Sequence, residues 1–331
     1  MPEALPCRRT VQSILNREYH PIQEGSFRFE SLAKHLECYH TPKVIFIRED
    51  ATCVISRIDY DNETDCLVGF VMPCDDNGVL LTVFFKADCY ESMQAIFRNG
   101  EFAKYAFVYM AQPLARGVPA FCLACLGTNN RFTSEHVFKR WQYIYTECKK
   151  LGITVISFGA DGDSCELKSM QVSTNLMFAS SNPLASLSPS FKSADKVVIP
   201  SEWRQWFAVK YPTTVSYVQD IVHVGVKQKY RLIKPSIVLP LGSFVAGVHH
   251  LRMVHMKFSK EEHGLRERDI NDKDKQNYEA VLRMTSKSML SLLQSLPDAK
   301  GTIAYLYALR CVIDSYLDKS LKPLESEESL V

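Results

Sequence analysis

Between Thr133 and Asp163 the sequence changes its period twice. Val137, Trp141, Ile144, Tyr145 and Cys148 recur at intervals of three and four, the pattern of an amphipathic helix over 133–151. Thr133 or Ser134 can cap its start and Gly152 its end. Directly behind it, Ile153-Thr-Val-Ile-Ser-Phe158 reads as a buried strand that runs into Gly159-Ala-Asp-Gly-Asp163. A long helix feeding a buried strand calls for an α/β layer with mixed strands, because the strand must be covered and the helix must bury its stripe. The strand also delivers two carboxylates to its own end.

Upstream the sequence is rich in strand signals. Residues 1–42 are mixed and weakly periodic, and Pro42 marks their end. Lys43-Val-Ile-Phe-Ile-Arg-Glu-Asp50 is a short apolar run closing on two acids, and Thr52-Cys-Val-Ile-Ser-Arg-Ile58 is a second β-branched run. Asp59 to Asp65 is a polar turn, followed by Leu67-Val-Gly-Phe-Val-Met72. Further strands are expected over 105–111 and 119–126, joined by a turn at Arg116-Gly117.

Downstream, residues 179–201 are rich in Ser and Pro and read as a long connection. Thr214 to Val218 is a further strand. Asp220 to Lys234 is a helix carrying Lys227, Lys229, Arg231 and Lys234. Beyond about residue 260 the pattern is helical and charged, with 269–293 and 302–321 as its strongest helices. The expected divisions are an N-terminal segment (1–42), an α/β core (43–258), a helical portion (259–325) and a polar tail (326–331).

Composition narrows the functional classes. The 331 residues carry a formal net charge of +2, so nucleic acid could be held only by a local basic patch. The longest apolar runs are half the length of a bilayer span, and the opening residues hold no apolar signal segment. Eleven cysteines in a chain this long are too sparse for a disulfide scaffold, which favours a reducing compartment, cytosol or nucleus. Cys122 and Cys125 form a CxxC, but strand alternation is expected to place them on opposite faces, which suits buried thiols better than one zinc ion.

Four segments, in this order and spacing, resemble the transposases of the P-element and THAP type. The first runs from Ile47-Arg-Glu-Asp-Ala-Thr to Asp59-Tyr-Asp-Asn-Glu-Thr-Asp-Cys-Leu-Val-Gly-Phe-Val71. It is similar to the family's first-aspartate strand and following hairpin. The second is Leu151-Gly-Ile-Thr-Val-Ile-Ser-Phe-Gly-Ala-Asp-Gly-Asp-Ser164, like the strand that ends in the second catalytic aspartate. The third is Gln219-Asp-Ile-Val-His-Val-Gly-Val-Lys-Gln-Lys-Tyr-Arg-Leu232, and the fourth is the helical stretch from Asp269 to about Leu324. The last is similar to the start of the family's GTP-binding insertion. No Cys-Cys-Cys-His set in residues 1–40 matches the zinc-bearing THAP module.

The resemblance implies an RNase H-like mixed sheet flanked by helices, followed by an all-α C-terminal segment. It implies DNA as partner, a nuclear location, and self-association or pairing with a full-length transposase. Asp50 and Asp161 become the first and second catalytic acids and ligands of Mg²⁺ or Mn²⁺, with Asp163 as a local rival. Two or three carboxylates at neighbouring strand ends suffice for such ions, which keep much of their water.

Each acid also has a plain structural reading. Asp50 can be a solvated strand-end acid beside Glu49, which alternation points the other way. Asp161 can be a helix cap, because Asp-Gly-Asp-Ser is capping chemistry. His223, Lys227 and Arg231 fall at i, i+4 and i+8 on one helix face, which suits DNA backbone contact or an ordinary solvated face equally. Asp220 is expected to cap that helix. The family's third acid lies beyond the insertion and this sequence stops at Val331, so the resemblance implies a truncated chain, inactive alone. With no GxxxxGKS loop present, GTP binding is not expected. The alternative reading is a non-enzymatic DNA- or protein-binding module, or a decayed gene product.

Overall fold

The computed structural model describes residues 22–75, 79, 81, 85–175, 215–271 and 276–318. The Ser/Pro-rich connection and the polar tail lie outside these residues, as do the first 21 positions. The chain divides into two compact units, residues 1–218 and 219–331. Residues 219–258, read from sequence as the end of the α/β core, therefore group with the helices that follow.

The first unit is built on a five-stranded sheet in the order β5-β4-β1-β6-β7. Its strands are β1 (Val44–Cys53), β4 (Tyr105–Pro113), β5 (Phe121–Thr128), β6 (Thr154–Ala160) and β7 (Ser216–Gln219). β1 runs antiparallel to β4, β4 antiparallel to β5, and β1 parallel to β6. This is the mixed RNase H-like sheet anticipated from the sequence. The two β-branched runs expected at 43–50 and 52–58 are in fact one strand that stops at Cys53. The polar turn after them closes a small hairpin, β2 (Asp59–Asp61) with β3 (Cys66–Val68).

Alternation along β4 buries Phe107, Tyr109, Ala111 and Pro113, and along β1 it buries Ile45, Ile47 and Glu49. Helix α1 (Phe29–Cys38), helix α3 (Ser134–Lys150) and helix α4 (Ser164–Asn175) belong to this unit, as does α2 (Tyr90–Asn99). The stripe read from sequence on α3 is the buried one: Val137, Trp141, Ile144 and Cys148 join the core with Leu32 and Leu36 of α1. Thr133 caps α3 by accepting the His136 amide, and Gly152, at φ +70, lets the chain leave it. Trp141 stacks on Phe158 of β6 and Tyr217 of β7, with ring centroids 5.6 and 5.3 Å away. α3 thereby locks β6, and with it the acids that follow.

One expectation about faces is overturned. A bulge between Tyr109 and Met110 inserts Leu123 on the β5 side, so Cys122 pairs with Met110 and Cys125 with Val108. Both cysteines therefore share the face opposite Tyr109. Burial pushes up both thiols, Cys125 to about 11 with the neighbouring Cys122 adding to it.

The second unit is helical apart from the hairpin β8 (Leu239–Leu241) and β9 (Phe244–Ala246). It contains α5 (Ile221–Ile233), α6 (Val248–Lys257), the short α7 (Lys260–His263), α8 (Tyr278–Met284), α9 (Lys287–Gln294) and α10 (Lys300–Leu317). Residues 269–293, expected as one helix, are divided. A 3-10 turn ends at Ile270, Asn277 caps α8, and Ser286 caps α9 by accepting the Met289 amide. Polar caps inside an apolar-periodic run end helices that periodicity alone would continue. A bidentate pair between Asp269 and Arg283, at 2.8 Å on both arms, holds the turn against α8. No helix among the described residues is long and apolar enough to cross a membrane.

Candidate functional site

The parallel register of β1 and β6 ends at Arg48 opposite Gly159. Two residues further along the chain come Asp50, still within β1, and Asp161, the first residue past β6, so both expected acids lie just beyond the paired stretch of these two strands. Alternation separates Asp50 from its neighbour: Asp50 is exposed, whereas Glu49 is 4% exposed.

The turn after β6 is tightly organised. Asp161 Oδ1 accepts the Asp163 amide (2.7 Å) and Asp163 Oδ1 accepts the Cys165 amide (2.9 Å). Glu166 Oε2 accepts the amides of Gly162 (3.2 Å) and Asp163 (3.1 Å). Gly162 sits at φ +79, a conformation that favours glycine. Asp163 therefore caps α4 through the Cys165 amide, while Glu166 reaches back to the Asp163 amide. Asp163, expected as a possible metal ligand, is exposed and serves as the helix cap, the role that the sequence reading had offered to Asp161.

Asp161 stands in an acidic surrounding. Glu166 is buried, and its carboxyl is pushed up to about 9, first by burial, then by the charge of Glu49 and by a hydrogen bond with Asp161. Glu49 is pushed up to about 7 by burial, against the pull of Arg140, Trp141 and Tyr109, with Asp161 adding to the rise. The Tyr109 hydroxyl and Trp141 indole N–H face this carboxyl, yet neither closes a hydrogen bond of ordinary length. Both Glu49 oxygens, and Nε and Nη2 of Arg140, are buried without a partner. The Arg140 guanidinium lies instead over the rings of Phe132 (4.6 Å) and Phe107 (5.2 Å).

Sequence reasoning did not find Glu166 or Arg140. Glu166 stands three residues after Asp163, the capping-box spacing. Arg140 lies three residues after Val137 and four before Ile144, inside the buried stripe. Both were open to a periodicity argument.

Among the described residues no group of three or more His, Cys, Asp or Glu side chains is arranged to hold a metal ion. The donor set nonetheless suits Mg²⁺ or Mn²⁺ chemically. Asp50 and Asp161 offer carboxylate oxygens, and the repulsion that Asp161 shares with Glu49 and Glu166 would be relieved by a cation.

The expected nucleic-acid residues belong to the other unit. On α5, Lys227 and Arg231 are exposed and His223 is half-buried, in one row. Lys229 is buried on another side of the helix and is not part of this face. Asp220 caps α5 by accepting the Val222 amide (2.8 Å), as expected.

No protein-family model and no curated protein matches the chain. Among solved structures it is similar to the Drosophila P element transposase in its strand transfer complex, with 13% identity and a TM-score of 0.58. The match covers 97% of this chain and 62% of the Drosophila chain, so the chain spans about three-fifths of that protein. At this identity the likeness shows the fold: the chain has the RNase H-like, transposase-type architecture.

Proposed function

We propose that the chain is a transposase-derived, DNA-binding protein of the P-element type, ancestrally a metal-dependent DNA strand transferase. The observation that supports this reading is that Asp50 of β1 and Asp161, just past β6, each follow by two residues the last pair between these parallel strands, in a fold shared with a P element transposase. Asp50 and Asp161 would hold Mg²⁺ or Mn²⁺, which in such folds activates the attacking oxygen and stabilises the leaving one. Asp161 is aimed by its turn, and Glu49 stays behind the strand, buried within the field of the Arg140 charge. His223, Lys227 and Arg231 would meet the DNA backbone, and the protein would act in the nucleus, with itself or a longer transposase as partner.

DDE-type chemistry takes a third acid, and Glu166, the acid hydrogen-bonded to Asp161, is committed to the turn amides instead. The chain alone is therefore expected to bind DNA without appreciable cleavage. The test is fluorescence anisotropy on duplex DNA across a salt series, with a nicking assay in Mg²⁺ and Mn²⁺. Salt-sensitive binding with little or no nicking supports the reading. Absence of binding removes it, and robust nicking abolished by Asp161→Ala would make the chain a complete enzyme.

A further inference from the structure

We infer that Glu166 is a positioning residue for Asp161: its buried carboxyl ties together the Gly162 amide, the Asp163 amide and the Asp161 side chain, and so fixes the turn that aims Asp161 from the end of β6. This rests on the reading of Asp161 as an ion ligand, and extends it to a residue with no place in the strand-end motif.

The geometry has three parts. One oxygen of Glu166 accepts both turn amides, so the backbone on either side of Gly162 is bound to a single atom. Asp161 Oδ1 itself accepts the Asp163 amide at 2.7 Å, so the same turn holds the Asp161 carboxyl as well as the backbone. The platform is also anchored. Cys165 bonds the carbonyl of Phe132 through its thiol (3.4 Å), and Ser169 bonds the carbonyl of Ser134, so α4 is fastened to the start of α3. Hence Glu166 does more than cap a helix. It couples the catalytic-type turn to the helix that locks β6. Groups that orient a ligand from behind typically cost about 10- to 100-fold in metal affinity when removed.

Two substitutions separate this role from simple helix capping. Glu166→Gln keeps an acceptor for the amides and a donor for Asp161, whereas Glu166→Ala keeps neither. Gly162→Ala leaves α4 untouched and strains the turn, because an alanine at φ +79 is disfavoured.

Mn²⁺ affinity would be measured on the full chain by electron paramagnetic resonance, with amide hydrogen exchange followed at Gly162 and Asp163. The expected result is about a tenfold or greater loss of Mn²⁺ affinity in Glu166→Ala and Gly162→Ala, with faster exchange at both amides and near-parental behaviour in Glu166→Gln. Unchanged affinity and unchanged amide protection in Glu166→Ala would overturn the inference. Should Glu166→Ala not fold, Gly162→Ala against Glu166→Gln decides. Should the parent bind no Mn²⁺ and Asp161→Asn change nothing, the ion-ligand reading fails, and amide exchange alone still decides whether Glu166 holds the turn.

Discussion

Glu49 faces the core with a carboxyl raised by burial from 4.5 to about 7, against the pull of the Arg140 guanidinium. Glu49→Gln replaces it with a neutral side chain of the same shape. The folded protein holds the Glu49 proton more tightly than the unfolded chain, so this group contributes stability that is present below about pH 4.5 and lost as pH rises through 7. A rise from 4.5 to about 7 corresponds to roughly 3 kcal/mol lost between those limits. The attraction of Arg140 is already contained in that value, since it lowers the proton affinity that burial raises. The variant therefore gains on the parent by roughly 2–3 kcal/mol between pH 4.5 and pH 8.

Because the Glu49 charge is also one cause of the rise at Glu166, its loss eases Glu166 in the same direction. The assay is urea unfolding of the intact chain, read by pulsed hydrogen exchange in peptides covering β1 and β4. That reports the sheet separately from the helical unit. A stability difference that does not change with pH, or a variant that weakens steadily as pH rises, would refute the reasoning. The first result would mean that the Arg140–Glu49 attraction cancels the cost of burial, and the second that it outweighs it.

Three further outcomes follow from the same coordinates. Arg140→Met removes the cation facing Glu49 while keeping its apolar stem, and should cost about 3–5 kcal/mol at pH 8 but much less at pH 4.5; combining it with Glu49→Gln should recover most of the loss in a double-mutant cycle. In the helical unit, Asp269 is fully buried and doubly bonded to Arg283, so Arg283→Met should lower the unfolding stability of that unit by about 3 kcal/mol, measured by the exchange of α8 amides. Lys227→Ala and Arg231→Ala, both at exposed positions, should leave the melting temperature within a degree or two and each reduce the salt slope of DNA binding by about 1.

Where the apolar period was strong, the fold was legible. The stripe on α3 and the buried run of β6 fixed the direction of the chain through the sheet, and their caps fell where Thr133 and Gly152 stand. Where polar residues interrupt that period, local chemistry decided instead. Asn277 and Ser286 cut one expected helix into two, and the bulge at Leu123 moved Cys122 and Cys125 onto one face. Helix α1 was passed over although Phe29, Leu32 and Leu36 carry its buried face, because its charged and polar residues weaken the signal. Strand alternation correctly parted Glu49 from Asp50. What no strand pattern carries is the layer behind the acids, because Arg140 and Glu166 reach it from two helices distant in sequence from β1.

The proposed divalent-ion site joins Asp50 of β1 with Asp161, just past the end of β6. Its most direct test replaces Mg²⁺ with Fe²⁺ and lets radicals generated at the bound ion cut the neighbouring backbone. Cuts confined to the vicinity of residues 50 and 161, suppressed by excess Mg²⁺ and lost in Asp161→Asn, are the predicted result. Cutting elsewhere, or cutting that Asp161→Asn leaves unchanged, would contradict it.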